Sequence, residues 1–545
     1  MSDVSRAILT VDGLSVRLPA GADRPHALSD VSLSIAANEI LCVVGESGSG
    51  KSIMANTIMR LLPSEVNIDG GRVMFEGRDL AKATTAEMRS VRGAGIAMIF
   101  QEPMTALNPL RTIGDQIGEM FSIHTELSSA AIRARALALL EDVRMPDPQG
   151  AARAYPHELS GGQRQRAMIA MALALDPRVL IADEPTTALD VTTQAQILSL
   201  IRDLQKRKKT AVLFITHDFG VVAEIADRVV VMQQGFIVEQ GDAASVLNHP
   251  RHPYTRQLIA AVPPLTAPPP RKLSDDIILS IDNVSKTYRT GGFLGRGARV
   301  TPAVRNVSLK LPRGATLGIV GESGSGKSTL ARCIVRLIDP DKGSIVLEGK
   351  DWAKMTRGDV RRETRHIQMV FQDPFASLNP RRKAGDLVAQ GPIVHGTPRA
   401  TAIADAKELF ALVGLDPSAI DRFPHEFSGG QRQRIGLARA LALRPEVLVA
   451  DEAVSALDVS VQAQVLKLLA GLRQRLGLSI VFITHDLRVA AQICDLVAVM
   501  KDGEVVEQGL AGDVFGRPRH PYTRALLDSI PGGDFARKHE TSLFT

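Results

Sequence analysis

The sequence of 545 residues holds only three cysteines, one tryptophan and four tyrosines, and aromatic residues of all kinds make up 4% of it. Cys42, Cys333 and Cys494 stand far apart, form no C-x-x-C pair and each falls in an apolar run. That spacing excludes a disulfide framework and predicts buried structural thiols. Long apolar runs are also missing. The strongest, such as Val179 to Ala182 and Ala211 to Ile215, fall far short of the roughly 20 residues that a membrane helix needs. The N-terminus, MSDVSRAILTVDGL, has no basic region followed by an apolar core and a small-residue cleavage site, so nothing marks it for export and a cytosolic location is expected. Nor is there a concentrated basic patch. The formal charge of +6 is scattered, and its longest cluster, Lys206 to Lys209, has no interleaved aromatics on which bases could stack. It reads as a solvated helix end, and no nucleic-acid partner is expected.

What is present is one domain written twice. VVGESGSGKS at Val43 to Ser52 recurs as IVGESGSGKS at Ile319 to Ser328, and FITHD at Phe214 to Asp218 recurs at Phe482 to Asp486. Gly45 and Gly321 stand 276 residues apart, Gln101 and Gln372 271, and Ser160 and Ser428 268, a spacing that then holds to His252 and His520. A period this long means duplication of a whole domain rather than a solenoid. The stretch PPLTAPPPRKLSDD, with five prolines, disfavours helix and sheet and suits an extended connector. The expected boundaries are therefore a first domain at 1–262, a linker at 263–276, a second domain at 277–531 and a tail at 532–545.

Within each copy, apolar runs rich in Val, Ile and Leu (Ile40 to Val44, Val179 to Ala182, Ala211 to Ile215) alternate with helix-like segments such as Thr192 to Gln205. This pattern predicts an α/β fold, with a mainly parallel sheet and helices on both faces. Residues 102–158 differ, placing Ile132, Ala136, Leu139, Leu140 and Val143 at helical spacing among charges, which predicts a helical subdomain.

Gly45, Gly50, Lys51 and Ser52 fit the G-x-x-x-x-G-K-[ST] phosphate loop, after a buried strand and before a helix, and Gly321, Gly326, Lys327 and Ser328 repeat it. The glycines let backbone N–H groups face phosphate oxygens, the lysine adds positive charge and the serine hydroxyl can ligate Mg²⁺. An apolar strand then ends in adjacent acids, Asp183 with Glu184 and Asp451 with Glu452. Beside a phosphate loop, one carboxylate is suited to the Mg²⁺ shell and the other to orienting or deprotonating the attacking water.

LSGGQRQR at Leu159 to Arg166 and FSGGQRQR at Phe427 to Arg434 each open a helical run. With the preceding motifs, these segments resemble the ABC ATPases, and the resemblance extends from about Ile8 to Pro531. It implies two tandem P-loop NTPase domains using ATP and Mg²⁺. It makes Glu184 and Glu452 the bases, with His217 and His485 as switch histidines. Asp183 and Asp451 become magnesium residues with Ser52 and Ser328, joined partly through water by the Q-loop glutamines Gln101 and Gln372. Ser47, Gly48, Ser323, Gly324 and Thr329 complete the phosphate loops, and Asp190 and Asp458 match the D-loop. In this family two domains meet head to tail. The resemblance thus pairs Lys51 and Glu184 with Ser428, Gly430 and Gln431, and Lys327 and Glu452 with Ser160, Gly162 and Gln163.

Two positions depart from the pattern. The family usually stacks adenine on an aromatic residue, which Tyr288 in NVSKTYR supplies, but the first copy has Leu18 there. Ala453 follows the second glutamate where the first copy has Pro185.

QEPMTALNP (Gln101 to Pro109), QDPFASLNP (Gln372 to Pro380), RHPYTRQLIAAVP (Arg251 to Pro263) and RHPYTRALLDSIP (Arg519 to Pro531) resemble the dipeptide and oligopeptide importer branch. Members import peptides, and relatives carry nickel, glutathione or opines. The resemblance implies a transport ATPase bound peripherally at the cytoplasmic face of the inner membrane. Its partners would be two permease subunits and, indirectly, an extracytoplasmic binding protein. No iron–sulfur cluster is expected, since the cysteine cluster of some relatives is missing. The rival reading is a soluble tandem ATPase acting on ribosomes or DNA. A short proline-rich linker and the lack of zinc-binding cysteine pairs argue against it.

Overall fold

The computed structural model describes residues 7–187, 189–290, 299–455 and 457–533. The tail expected at 532–545 therefore lies outside the described residues from 534 onward. The chain forms two compact units whose main changeover falls between Val262 and Pro263.

The first unit runs through β1 (Ala7–Arg17), β2 (His26–Ala36), β3 (Ile40–Val44), β4 (Asn67–Phe75), β5 (Arg78–Asp79), β6 (Ile96–Ile99), β7 (Val179–Asp183), β8 (Ala211–Thr216), β9 (Arg228–Gln233) and β10 (Phe236–Asp242). Its main sheet has the order β10-β9-β3-β8-β7-β6, parallel throughout except for β10 against β9. Strands β3, β7 and β8 are buried along their whole length, which is why they read as unbroken apolar runs. The two-residue period sends Ile40, Cys42 and Val44 into one core with Ala182 and Phe214. Leu41 and Val43 enter the opposite core with Ile181, Leu213 and Ile215.

That second face differs from the expectation of helices alone. It is shared by helix Lys51–Ile58 and an antiparallel sheet of order β2-β1-β4-β5, whose Leu9, Val11, Leu33 and Val73 join the same core. The strands of this sheet alternate buried and exposed residues, and β1 is interrupted by register shifts, so no unbroken apolar run announces them.

The second unit repeats the plan with β11 (Ile277–Thr290), β12 (Arg299–Pro312), β13 (Thr316–Val320), β14 (Lys342–Leu347), β15 (Lys350–Asp351), β16 (Ile367–Val370), β17 (Val447–Asp451), β18 (Ser479–Thr484), β19 (Leu496–Lys501) and β20 (Glu504–Leu510). The sheet orders are β12-β11-β14-β15 and β16-β17-β18-β13-β19-β20, the same topology as the first unit.

Between β6 and β7, residues 102–158 carry helices Pro103–Ala106, Ile113–His124, Ser129–Asp142 and Pro148–Arg153. Ala136, Leu140 and Val143 are buried there, with Ile132 and Leu139 packed against them. All three cysteines are buried and free. Burial pushes the Cys333 thiol up to about 11, so it is inert at neutral pH.

The proline-rich segment forms no helix or strand and is held by side chains of the second unit. The Gln492 amide donates to the carbonyls of Pro264 (3.0 Å) and Thr266 (2.9 Å), and the Arg271 guanidinium grips Asp495 at 2.6 and 2.7 Å. It lies as a strap along the second unit.

Candidate active site

Each phosphate loop joins the end of a buried strand to a helix, β3 to Lys51–Ile58 and β13 to Lys327–Ile334. Gly50 and Gly326 cap these helices in the left-handed region, at φ 104° and 102°. A side chain at either would run into the carbonyl of Ala27 or Ala303 as well, so only glycine fits. Gly45 and Gly321 are equally constrained, because a Cβ there would collide with the carbonyl of Met232 or Met500. Ser47 and Gly48, like Ser323 and Gly324, form the exposed rim of the loop.

Lys51 is folded back into its own loop, donating to the carbonyls of Gly45 at 2.7 Å and Glu46 at 2.9 Å. Lys327 does the same with Gly321 at 2.8 Å and Glu322 at 2.7 Å. Burial holds the Lys327 ammonium below its ordinary pKa, partly offset by Glu452. Thr329 follows Ser328 in the second loop, whereas the first has Ile53, which packs against its core. This third difference was readable by aligning the two loops.

The acids close the other side. The Ser52 hydroxyl donates to Asp183 at 3.0 Å and Ser328 to Asp451 at 3.1 Å. Burial pushes the Asp183 carboxyl up to about 6, the Ser52 bond opposing this and the Glu184 charge adding to it. Asp451 is raised for the same leading reason. A hydroxyl and a buried carboxylate this close are hard oxygen donors, and a divalent cation would relieve the burial of the charge, so the pair fits Mg²⁺.

Glu184 and Glu452 both sit at φ 47°, an unusual backbone state for glutamate that turns each side chain off the strand end. Glu184 accepts from the Gln101 amide at 3.1 Å and the Thr187 hydroxyl at 2.9 Å, and His217 Nδ1 lies at 3.3 Å. Burial would raise this carboxyl, but His217, then Lys51, bring it down to about 2. Glu452 accepts from Gln372 at 2.7 Å, with His485 Nδ1 at 3.4 Å, and is likewise lowered. Burial alone would lower His485; its bond to Glu452 raises it. The two glutamines rest on the glutamates, the residues assigned to the attacking water. The swap of Pro185 for Ala453 leaves the preceding glutamate's φ unchanged, and both residues are buried.

The signature segments hold their own geometry. Ser160 caps helix Gly161–Ala172, accepting from Gln163 N at 3.3 Å, while Gln163 Oε1 accepts from Ser160 N at 2.9 Å. Ser428 and Gln431 make the same reciprocal cap. The side chains of Gln163 and Gln431 bond the helix start, and S-x-x-Q ahead of a helix was the sequence signal for it. Gly162 and Gly430 face Thr193 and Val461, whose methyls would meet a Cβ at 2.8 and 2.5 Å. Asp190 and Asp458 stand just before helices Val191–Lys208 and Val459–Leu476. Tyr288 lies in β11 opposite Thr301, and Leu18 follows β1, packed against its core.

The model of the ABC transporter family matches residues 28–187 and 304–455, and that of the oligopeptide/dipeptide transporter C-terminal region matches 238–278 and 506–542. The chain is 45% identical over 566 residues to the glutathione import ATP-binding protein GsiA of Salmonella choleraesuis (strain SC-B67), covering 98% of this chain and 91% of that protein. It is 46% identical over 564 residues to GsiA of Escherichia coli O157:H7, covering 97% and 90%. A solved dimeric post-hydrolysis state of the cassette MJ0796, bound to ADP and Pi, is 30% identical and covers 43% of this chain and 98% of its own, with a TM-score of 0.39. No helix among the described residues is long and apolar enough to cross a membrane. The chain belongs to the ABC transporter ATP-binding family, as a transport ATPase that carries two cassettes, each followed by the oligopeptide/dipeptide transporter C-terminal region.

Proposed function

We propose that the chain energises uptake of glutathione, or of a short peptide of similar size, through a pair of membrane permeases served by an extracytoplasmic binding protein. One observation carries this reading: likeness to glutathione import ATP-binding proteins over 98% of the chain, with both glutamate, histidine and lysine sets intact.

In this reading ATP is the substrate. The loop N–H groups take its phosphates, and Lys51 and Lys327 exchange their carbonyl partners for phosphate oxygens. Ser52 with Asp183, and Ser328 with Asp451, would hold Mg²⁺, which supplies charge neutralisation at the β- and γ-phosphate oxygens. Glu184 and Glu452 orient and deprotonate the attacking water, and His217 and His485 reach from the same carboxylates toward the γ-phosphate.

A groove of about 790 Å³ in the second unit supports a permease contact beside this chemistry. It is lined by Phe371, Gln372 and Leu443, and its rim exposes Leu337 (58%) and Val394 (57%). The matching positions of the first unit, Leu61 and Ile123, are also exposed, at 40% and 59%. Because Gln372 both lines the groove and holds Glu452, an apolar permease segment seated there would bear directly on the base.

Uptake of labelled glutathione by host cells lacking the chain, with and without its restoration, tests the substrate. Loss and recovery of glutathione uptake support the proposal. Unchanged glutathione uptake with loss of longer peptides or nickel would move the substrate elsewhere in the branch.

A further inference from the structure

The R-H-P-Y-T segments read as helix starts in the sequence, and the structure gives their tyrosines a second contact. Tyr254 Oη accepts from the backbone N–H of Glu46, the second residue of the first phosphate loop, at 3.1 Å. Tyr522 Oη accepts from the equivalent N–H of Glu322 at 3.3 Å. Two hundred residues of chain or more separate the partners in each case.

The rest of the motif mounts the tyrosine. Glu239 takes the N–H groups of Arg251 (2.7 Å) and His252 (3.0 Å), and Glu507 takes those of Arg519 (2.7 Å) and His520 (3.1 Å). His252 Nδ1 then accepts from Tyr254 N at 3.2 Å and His520 Nδ1 from Tyr522 N at 3.1 Å, with proline at the first helical position. Tyr254 is 6% exposed, so its ring is fixed as well. The residue whose N–H the tyrosine holds is also the residue whose carbonyl accepts the phosphate-loop lysine, Lys51 at 2.9 Å and Lys327 at 2.7 Å. The peptide units on either side of this residue are thus engaged, one by the C-terminal helix and one by the lysine that must turn to phosphate.

We infer that Tyr254 and Tyr522 are positioning residues for the two phosphate loops, coupling nucleotide binding to the packing of helices Pro253–Ala260 and Pro521–Asp528. The inference rests on the reading that these loops bind ATP. Coupling of this kind is reciprocal: whatever the tyrosine contributes to nucleotide affinity, nucleotide returns to the helix. In the first unit that helix is followed in the chain by the proline strap.

Tyr254→Phe and Tyr522→Phe remove the hydroxyls and keep the rings. With the purified full chain, affinity for a fluorescent ATP analogue in the presence of Mg²⁺ is measured together with amide hydrogen exchange of residues 253–260 and 521–528. The double variant is expected to bind about three- to tenfold more weakly, the worth of one hydrogen bond per site. The nucleotide-dependent slowing of exchange in both helices is expected to vanish, while the unfolding temperature without nucleotide stays close to that of the unaltered protein. Unchanged affinity and unchanged protection would reduce the tyrosines to packing residues and overturn the inference. Failure of the unaltered protein to bind the analogue would instead overturn the assignment of the loops.

Discussion

Leu18, just past the end of β1, and Tyr288, near the end of β11, occupy matching positions in the two units, yet only one offers a ring to a purine. An aromatic pair contributes roughly 0.5 to 1.5 kcal/mol beyond simple burial. Tyr288→Ala is therefore expected to weaken ATP binding more than Leu18→Ala, as read by titration with each variant; equal losses would remove the adenine role from Tyr288. At this scale most of the site was legible because each motif residue serves one chemical need at a fixed spacing. Lys51, Asp183, Glu184 and His217 could be named from their motifs, and the structure brings them to one place. Three features were not legible. The amide of Gln101 rests on Glu184, a side-chain rotation that no motif records. Thr187 donates to Glu184 whereas Ser455 donates to the backbone carbonyl of Glu452, a difference set by hydroxyl orientation. Tyr254 meets Glu46 only because the fold returns the C-terminal helix to the start of the chain.

At the scale of elements, the helical subdomain depends on one stripe of small and branched side chains. Leu140 is wholly buried in it, next to Ala136 and Val143. Leu140→Ala leaves a cavity and is expected to cost about 2–5 kcal/mol, read as a lower denaturant midpoint. A change of less than half a kilocalorie per mole would mean that the stripe is not a core. The stripe was visible in the sequence because Ile132, Ala136, Leu139, Leu140 and Val143 each fall three or four residues from another, as neighbours on one helix face do. The antiparallel sheet was not, because β1 and β2 are half-buried and bulged, so their apolar residues slip out of strict alternation. What the strap packs against was not legible for a different reason. Proline content reports the absence of helix and sheet, and says nothing of whether Gln492 and Asp495 wait on another surface to bind it.

At the scale of the whole molecule, the repeated spacing of motifs matches the repeated sheet order, strand for strand, from β1–β10 to β11–β20. Duplication kept both glutamates and both histidines, and each glutamate is bound by its glutamine and faced by its histidine. Two intact sites in one chain lead to the expectation that both hydrolyse ATP. Steady-state hydrolysis by the purified chain, compared with Glu184→Gln, Glu452→Gln and the double variant, tests this most directly. Each single variant is expected to keep part of the activity. The double variant is expected to lose at least about a hundredfold in turnover while still binding ATP, the scale of a lost general base. Near-full turnover in the double variant would contradict the assignment of these two glutamates and with it the account of the site.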